Sequence, residues 1–324
     1  MLSLNDFQSL LAGYARRHPF PDDPPMLYEP CTYMLSLRSK RLRPVLTLMA
    51  CELFIDEVER ALPAAWAVEL FHNFTLIHDD IMDAAPLRRG QPTVHTRWNV
   101  NTGILSGDVM LIFAYKHLLK VHNDRIAVQL VNIFNRVAIQ VCEGQQRDLD
   151  FEQRDEVSLS EYLYMIEQKT AVLLGGALEM GACCAGASAV DGMHLYYFGL
   201  QAGTAFQIQD DWLDAYGDPE RVGKQVGGDI LQNKKTFLTL KTLELADEAD
   251  RAALREWLRT PADTPGKVEA VRALFDRYDI SAHVAEAKAK LQRSAYEHLD
   301  AVKVPLDRQT LLRQTVEQLL ERDH

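Results

Sequence analysis

The fold class is decided by the stretch Leu70-Phe71-His72-Asn73-Phe74-Thr75-Leu76-Ile77-His78-Asp79-Asp80-Ile81-Met82-Asp83, in which an apolar run with helical spacing ends in three aspartates. Asp79 and Asp83 are four residues apart, so a helix places both carboxylates on one face, about 6 Å apart along its axis. Carboxylates crowded at the carboxyl end of a helix repel one another and the helix dipole. The pattern therefore predicts a bound cation, and magnesium suits it because Mg²⁺ prefers hard oxygen ligands.

A second cluster of the same form, Asp210-Asp211-Trp212-Leu213-Asp214, closes the apolar stretch 198–215. One such cluster alone is as readily a solvated acidic helix end as a metal site. Two clusters, each followed by Lys or Arg, favour a site for metal and phosphate, and a structural calcium site would leave the basic residues unexplained. The candidate metal ligands are Asp79, Asp80, Asp83, Asp210, Asp211 and Asp214.

Helical spacing extends outward from these clusters over most of the chain. Apolar residues recur at three- and four-residue steps, and the alternation typical of strands is scarce. The pattern predicts helices near 3–17, 26–37, 41–54, 60–84, 97–121, 125–151, 158–186, 191–216, 229–246, 263–278, 280–302 and 306–321. No long linker or tandem repeat interrupts them, so we expect one all-α domain over residues 1–324, a single large helical bundle.

Composition excludes some classes of protein. The 324 residues carry 35 Lys and Arg against 46 Asp and Glu, a formal net charge of -11, so we expect no nucleic-acid partner. The five cysteines show no CxxC or zinc-ligand spacing, which is typical of reduced thiols in a cytoplasmic protein. No apolar run approaches the roughly 20 residues of a membrane span, and no signal peptide is recognisable, so we predict no transmembrane segment.

Basic residues form islands in this acidic chain. Arg88 and Arg89 follow the first acidic cluster, and Lys224, Lys234 and Lys235 follow the second. A third island is Arg38-Ser39-Lys40-Arg41-Leu42-Arg43-Pro44. Arginine grips phosphate oxygens in bidentate fashion, so the islands predict a substrate that carries phosphate.

Taken in their order along the chain, these segments resemble the motifs of the trans-isoprenyl diphosphate synthases, also called polyprenyl synthetases. Residues 39–44 resemble that family's Gly-Gly-Lys-Arg-x-Arg-Pro segment, residues 72–83 its first Asp-rich helix, and residues 87–95 its Arg-Arg-Gly-x-Pro-Thr-x-His sequel. Further motifs match in the family's order: Gly107-Asp108, Gln168-Lys169-Thr170, Phe206-Gln207-Ile208-Gln209-Asp210-Asp211, Gly223-Lys224, Gly227-Gly228-Asp229 and Asn233-Lys234-Lys235-Thr236.

Two positions depart from the family's pattern. Arg38-Ser39 stands where the family has Gly-Gly, which makes that loop stiffer because glycine alone is free at positive φ. Asn233 stands where a glycine is usual, and asparagine tolerates the left-handed region nearly as well.

The resemblance implies a bundle of the isoprenoid synthase type with a central active-site cavity, acting as a short-chain prenyltransferase and as a homodimer. In such an enzyme an allylic diphosphate ionises, isopentenyl diphosphate attacks the cation, and the departing diphosphate takes the proton. The apolar helices 97–121 and 125–151 are candidates for the dimer interface. Water must be kept from the cation, so residues 215–228 are expected to close as a lid.

Matching motifs assign roles to individual residues. Three Mg²⁺ ions per site, replaceable by Mn²⁺, would be bound by Asp79, Asp83 and Asp210, with Asp80, Asp211 and Asp214 as direct or water-mediated ligands. The residues expected to bind the allylic diphosphate are Arg88, Lys169, Lys224 and Lys234. Those expected to bind isopentenyl diphosphate are Lys40, Arg43, His72 and Arg89. Thr170 and Gln207 would direct oxygen dipoles at the carbocation.

Candidate chain-length residues are Phe71, Phe74 and Thr75, which share one helix stripe with His78 and Asp79. Phe74 lies five residues before Asp79, roughly 7.5 Å along the axis, where a ring would stop a growing chain. Enzymes of this family that make farnesyl diphosphate (C15) often carry a second aromatic at the next position. Thr75 stands there, so we expect geranylgeranyl diphosphate (C20) before the C15 product.

Two alternative functions stay open. A class I terpene cyclase shares the fold and the first cluster, but its second motif follows an Asn/Asp-Ser/Thr-Glu pattern, and it has no need of Lys40 and Arg43. A non-catalytic partner subunit of a heteromeric prenyl synthase typically lacks one acidic cluster, whereas both are intact here. The structural alternatives are that His72 and Phe74 only pack in the core and that Lys169 is solvated.

Overall fold

The structure is a computed structural model that describes residues 2–121, 123–217 and 227–320. Within this part of the chain, regular structure is almost entirely helical, and a two-residue antiparallel hairpin pairs Leu87–Arg88 (β1) with Gln91–Pro92 (β2). The prediction of an all-α fold is confirmed. A search of the described residues finds no helix with the length and apolar character needed to span a bilayer.

The chain divides into two compact units, each described by itself below. Unit 1 comprises Met1–Asn135, Gly176–Leu195 and Lys303–Leu312, and unit 2 comprises Arg136–Gly175, Tyr196–Val302 and Arg313–His324. The single domain over residues 1–324 stays a prediction.

Unit 1 is organised around the helix that carries the first acidic cluster. Its helices up to residue 118 are α1 (Leu4–Arg17), α2 (Pro25–Ser36), α3 (Leu42–Glu52), α4 (Leu62–Met82), α5 (Val94–Arg97) and α6 (Val100–Leu118). α4 packs against α1, α3 and α6. Its first half, from Leu62 to Phe71, is buried except for Pro63, which explains the nearly unbroken apolar sequence there.

Glycines on α6 allow that helix to lie close against α4. A Cβ atom added at Gly103 would come within 2.9 Å of Ile81 Cδ1, and one added at Gly107 would overlap the His78 ring. Small residues at a four-residue interval form one flat strip on a helix, so the backbones can approach closely. The Gly107-Asp108 motif therefore has a packing function on the helix face beside His78.

The remaining helices, in chain order, are α7 (Asp124–Gln153), α8 (Leu159–Ile166), α9 (Val172–Cys184), α10 (Ala189–Tyr216), α11 (Gly228–Leu231), α12 (Phe237–Leu245), α13 (Glu248–Trp257), α14 (Lys267–Arg277), α15 (Ile280–Asp300) and α16 (Leu306–Leu320). A π-helical segment, Glu167–Ala171, joins α8 to α9. The core of unit 2 gathers the large apolar side chains Phe151, Tyr162, Ile208, Phe237 and Phe275.

Three features of the helix prediction after residue 157 were inaccurate for identifiable reasons. The helix expected at 158–186 is interrupted by the π-helical segment, and the one expected at 229–246 breaks at Asn233, which takes a φ of 59°. α13 was missed because it is polar along most of its length and buries only Leu254. Its apolar stripe is too thin to give a clear helical period.

Candidate active site

Unit 1 gathers a basic cluster around the middle of α4. Arg43 Nη1 donates to His72 Nε2 at 3.2 Å, so this histidine nitrogen accepts the hydrogen bond. Burial and the nearby guanidinium groups of Arg43, Arg89 and Arg88 hold the pKa of His72 well below its usual range. His72 is therefore a neutral imidazole that fixes the orientation of Arg43. The sequence-predicted isopentenyl diphosphate residues Arg43, His72 and Arg89 are thus brought together.

Glu69 lies beneath this cluster and was missed by sequence reasoning. Its side chain is buried, and burial raises its pKa, while Arg41, Arg43 and Arg89 act in the opposite direction. Arg41 Nε is 3.9 Å from Glu69 Oε1. One buried carboxylate among three guanidinium groups leaves a net positive site, which suits a diphosphate. The sequence feature that could have identified Glu69 is its position as a lone glutamate in an apolar helix.

Two arginines of the cluster have a left-handed backbone, with φ 45° at Arg41 and 54° at Arg89. Non-glycine residues in this region carry strain and persist only where surrounding contacts hold them. Arg41 Nη2 donates to Leu35 O at 3.0 Å, and Arg89 Nη1 donates to Leu37 O at 3.5 Å, so both are tied to the end of α2 and the residue after it. Lys40, the fourth predicted residue, is exposed beside Arg41.

The Arg38-Ser39 departure causes no backbone strain. Neither residue takes a positive φ, so this segment does not use the conformational freedom that glycine offers. Asn233 does take a positive φ, as the departure there led us to expect.

The first acidic cluster divides into one buried and two accessible carboxylates. Asp80 is 2% exposed, and Arg88 Nε donates to its Oδ1 and Oδ2 at 2.9 and 2.8 Å. Arg88 Nη2 lies 2.7 Å from Asp80 Oδ1. Asp79 is partly exposed and Asp83 exposed. Two residues predicted to bind metal and diphosphate, Asp80 and Arg88, are therefore engaged with each other.

The β-hairpin after α4 makes this pair possible, because it returns Arg88 towards Asp80. Leu87 pairs with Pro92, and Arg88 pairs with Gln91. Thr93 closes the turn, since its Oγ1 donates to Ala85 O at 2.8 Å.

The second acidic cluster, in unit 2, divides in the same way. Asp211 is buried and accepts hydrogen bonds from Tyr162 OH, from Phe237 N at 3.0 Å and from Gln207 Nε2 at 3.3 Å. Burial, with a smaller contribution from Asp229, raises the pKa of Asp211 to about 7. Asp210, its neighbour, is exposed.

Asp214 is hydrogen-bonded to residues 227 and 229, which are among the first described after residue 217. Its Oδ2 accepts from Asp229 N at 2.8 Å, and its backbone oxygen accepts from Gly227 N at 2.6 Å. Lys224, Gly223 and most of the predicted lid 215–228 lie outside the described residues.

The Gln168-Lys169-Thr170 motif falls in the π-helical segment. Such segments widen a helix by one residue and often occur at functional sites. The Lys169 ammonium forms an ion pair with Asp148 of α7, and Thr170 Oγ1 donates to Gln207 Oε1 at 3.3 Å. A Cβ at Gly144 would overlap the backbone of Lys169, so only glycine fits there. Thr170 and Gln207, the two candidates for stabilising the carbocation, contact each other, whereas the pairing of Lys169 with Asp148 was not foreseen.

Lys234 follows the left-handed Asn233. Its Nζ lies 3.4 Å from Asp229 Oδ1, and its backbone N donates to Asp229 O at 2.9 Å. Lys235 donates to the backbone oxygen of Phe151, which directs it into the unit.

The chain-length candidates differ in burial. Phe71 is buried, and its ring centroid lies 5.6 Å from that of Phe74 and 5.1 Å from that of Phe134. Phe74 is only partly buried, with its ring 4.7 Å from that of His78. Thr75 Oγ1 donates to His72 O at 2.8 Å. Phe74 is therefore the phenyl ring of this stripe that retains accessible surface.

The carboxylates fit magnesium as partial ligand sets. Carboxylate oxygen is the ligand type that Mg²⁺ prefers, and the ion commonly takes one or two carboxylates and fills its shell with water and substrate phosphate. Across residues 2–121, 123–217 and 227–320, no group of three or more His, Cys, Asp or Glu side chains has a geometry that could hold a metal by itself. Asp79, Asp83, Asp210 and Asp214 are more accessible than Asp80 and Asp211, as such partial sets require.

Comparison with known proteins gives consistent matches. The family model for polyprenyl synthetase matches residues 24–275. A geranylgeranyl diphosphate synthase from Methanosarcina mazei is 40% identical over 228 residues, which are 70% of each chain. A geranylfarnesyl diphosphate synthase from Natronomonas pharaonis is 35% identical over 322 residues, covering 93% of this chain and 91% of the relative. A crystal structure of a geranylgeranyl pyrophosphate synthase superposes with a TM-score of 0.95 at 43% identity, covering 99% of both chains.

The helical fold, the two acidic helix ends and these matches define a prenyl-transferring enzyme of isoprenoid biosynthesis. The chain belongs to the polyprenyl synthetase family, as its motifs predicted.

The Asp80–Arg88 pair can be tested by stability. Arg88→Met should lower the free energy of unfolding by about 3 kcal/mol, because it leaves the buried Asp80 carboxylate without its cation. Adding Asp80→Leu should restore much of the loss, because the stranded charge is gone. Chemical denaturation of the folded chain measures both effects.

Arg154→Met is the matched control, because Arg154 pairs with Glu161 at 2.8 Å where both side chains are over 40% exposed. That change should cost much less than Arg88→Met, because water screens an exposed ion pair. Equal losses for Arg88→Met and Arg154→Met would contradict a structural role for Asp80.

Proposed function

We propose that this chain condenses isopentenyl diphosphate with an allylic diphosphate, and that its main product is geranylgeranyl diphosphate (C20). The observation that carries the proposal is the basic cluster of Arg43, His72 and Arg89 around the buried Glu69. A cyclase that uses one diphosphate has no need of this cluster. Relatives named geranylgeranyl diphosphate synthase support the product.

The roles of the residues follow from charge and position. Lys40, Arg43 and Arg89 bind the diphosphate of isopentenyl diphosphate, with neutral His72 holding Arg43 in place. Lys169, Lys224 and Lys234 bind the allylic diphosphate. Thr170 and Gln207 present oxygen atoms to the carbocation, since they already contact each other through Oγ1 and Oε1. Lys169, Lys224 and Lys234 would supply positive charge to the leaving diphosphate as its negative charge develops, which lowers the barrier.

Asp79, Asp83 and Asp210 hold magnesium, with Asp214 as a further ligand, directly or through water. Mg²⁺ held there would supply positive charge to the leaving diphosphate, and three ions per site, with Mn²⁺ as substitute, are the proposed complement. Asp80 and Asp211 hold these helix ends in place through Arg88, Tyr162 and Phe237 N. A cytoplasmic location is proposed with it, supported by the five free thiols.

Incubation of the purified chain with isopentenyl diphosphate, magnesium and each of three primers tests the function. With dimethylallyl, geranyl or farnesyl diphosphate, the products should converge on C20, as measured by chromatography of the dephosphorylated alcohols. Incubation with geranylgeranyl diphosphate alone tests the alternative, because a cyclase would release a cyclic hydrocarbon. We expect no such product. No condensation with any primer would overturn the proposal, and condensation only with a second chain present would identify a partner subunit.

Phe74 should limit product length. Phe74→Ala removes the accessible ring of the stripe, so the chain can grow further along α4, and the main product should lengthen by one or two C5 units. Product sizing with the farnesyl primer measures the change. A natural comparison is the geranylfarnesyl (C25) product named for the Natronomonas pharaonis relative.

Phe20→Ala is the matched control, because Phe20 is also partly buried but packs against Tyr28 and Phe113, away from the stripe. Its product should stay at C20. An unchanged product from Phe74→Ala would remove Phe74 as the stop.

We also propose that the chain forms a homodimer through α6. Leu105, Ile112 and Leu119 follow one another at seven-residue intervals, so they share a helix stripe, and they are 59%, 63% and 66% exposed. A row of large apolar side chains in water costs free energy that a partner would recover. A second copy of the chain presents the same row, as a twofold interface requires.

The paired change Leu105→Glu and Ile112→Glu should convert the dimer to a monomer, because it buries two carboxylates in each half of the interface. Light scattering after size exclusion should give twice the mass of one chain for the wild type and a single mass for the variant. Leu306→Glu, at a leucine 73% exposed on α16, should leave the dimer intact. A double variant that stays dimeric would exclude this stripe as the interface.

A further inference from the structure

A buried lysine stands at the start of α14 and takes no part in the chemistry proposed above. Lys267 is 1% exposed, which is rare for a lysine. Its ammonium donates to Asn233 Oδ1 at 2.7 Å, to Thr260 O at 2.9 Å and to Leu231 O at 3.4 Å. All three acceptors are uncharged, and burial lowers the pKa of Lys267. An ammonium kept in such a place is costly, so its geometry must serve a purpose.

The three acceptors lie at the end of α11 or just beyond the ends of α11 and α13. Leu231 is the last residue of α11, and Thr260 lies just beyond α13. Carbonyl groups at helix ends carry partial negative charge, and a cation satisfies them. Asn233 lies between them with φ 59°, and its Nδ2 also donates to Thr260 O at 3.4 Å. Lys267 and Asn233 together fix the turn that follows α11.

The same end of α14 also holds the start of α11. Gly227 has φ 77°, and a Cβ added there would come within 2.7 Å of Val268 Cγ1. The neighbouring residues Lys267 and Val268 therefore contact the two ends of this four-residue helix. Asp214 is bonded to its first turn through Asp229 N, and Lys234 follows its last turn. A shift of α11 would move Asp229 and Lys234 together.

We propose that Lys267 is a positioning residue that, through Asn233, holds the left-handed turn presenting Lys234 to the allylic diphosphate. The proposal rests on the function proposed above. It also explains why asparagine serves at a position where the family pattern has glycine. Glycine would adopt the turn freely but offers Lys267 no side-chain acceptor, whereas asparagine both tolerates the conformation and anchors it.

Steady-state kinetics test the proposal with the variants Lys267→Met and Asn233→Gly. Each should raise KM for geranyl diphosphate about tenfold with little change in kcat, as loss of ground-state binding requires. KM for isopentenyl diphosphate should stay unchanged. The double variant should be no worse than the poorer single variant, because both changes break one contact. Asn233→Asp keeps the acceptor and should behave like the wild type, and Lys290→Met, at an exposed lysine of α15, is the control.

Amide hydrogen exchange without substrate gives a second readout that does not depend on activity. Exchange in residues 228–235 should accelerate in Lys267→Met and Asn233→Gly and stay at the wild-type rate in Asn233→Asp. A wild type that lacks condensation activity would overturn the proposed function, while exchange would still decide whether Lys267 anchors the turn. If Lys267→Met does not fold, Asn233→Gly decides. The positioning role would be overturned if the KM of Lys267→Met and Asn233→Gly for geranyl diphosphate stayed unchanged. It would also be overturned if these variants lost thermal stability and only their kcat fell.

Discussion

Repulsion between neighbouring carboxylates at a helix end is the constraint on which both acidic clusters depend. Two adjacent aspartates beside a third cannot all remain charged and close together without compensation. Each cluster meets this constraint by withdrawing its second aspartate into the protein. Asp80 is taken by Arg88, and Asp211 by Tyr162 and the Phe237 amide. The first and last aspartates of each cluster stay more accessible than the second.

Compensation of a different kind organises the basic residues of unit 1. Arg41, Arg43 and Arg89 would repel one another around an empty site, and the buried Glu69 offsets part of that repulsion. The same field keeps His72 neutral, so it can accept a hydrogen bond from Arg43. The positive side chains are thus gathered around a buried carboxylate, which balances part of their charge. This arrangement requires the left-handed backbones of Arg41 and Arg89, which only such contacts can hold.

Sequence patterns could predict much of this because they record periodicity and composition. The apolar spacing around α4 located the helix, and the Thr170 and Gln207 motifs identified two side chains that do meet. The patterns could not tell that Asp80 is buried while Asp79 is accessible. Neighbouring residues point to different sides of a helix, and composition does not show which side is buried. Nor could they locate the π-helical segment at Lys169. A single extra residue in one turn changes the apolar spacing of 3.6 residues per turn too little to be recognised. Glu69 and Lys267 were missed because their partners are distant in sequence.

The two departures from the family pattern show how a substitution should be judged. At Arg38-Ser39 the backbone stays out of the left-handed region, so the loss of glycine carries no conformational cost. At Asn233 the backbone does enter that region, and the cost is met by contacts that glycine could not make, above all the bond from Lys267. A glycine is therefore replaceable either where its freedom is unused or where the new side chain is itself held. The second case couples positions 233 and 267, so the effect of a substitution at one position depends on the residue at the other.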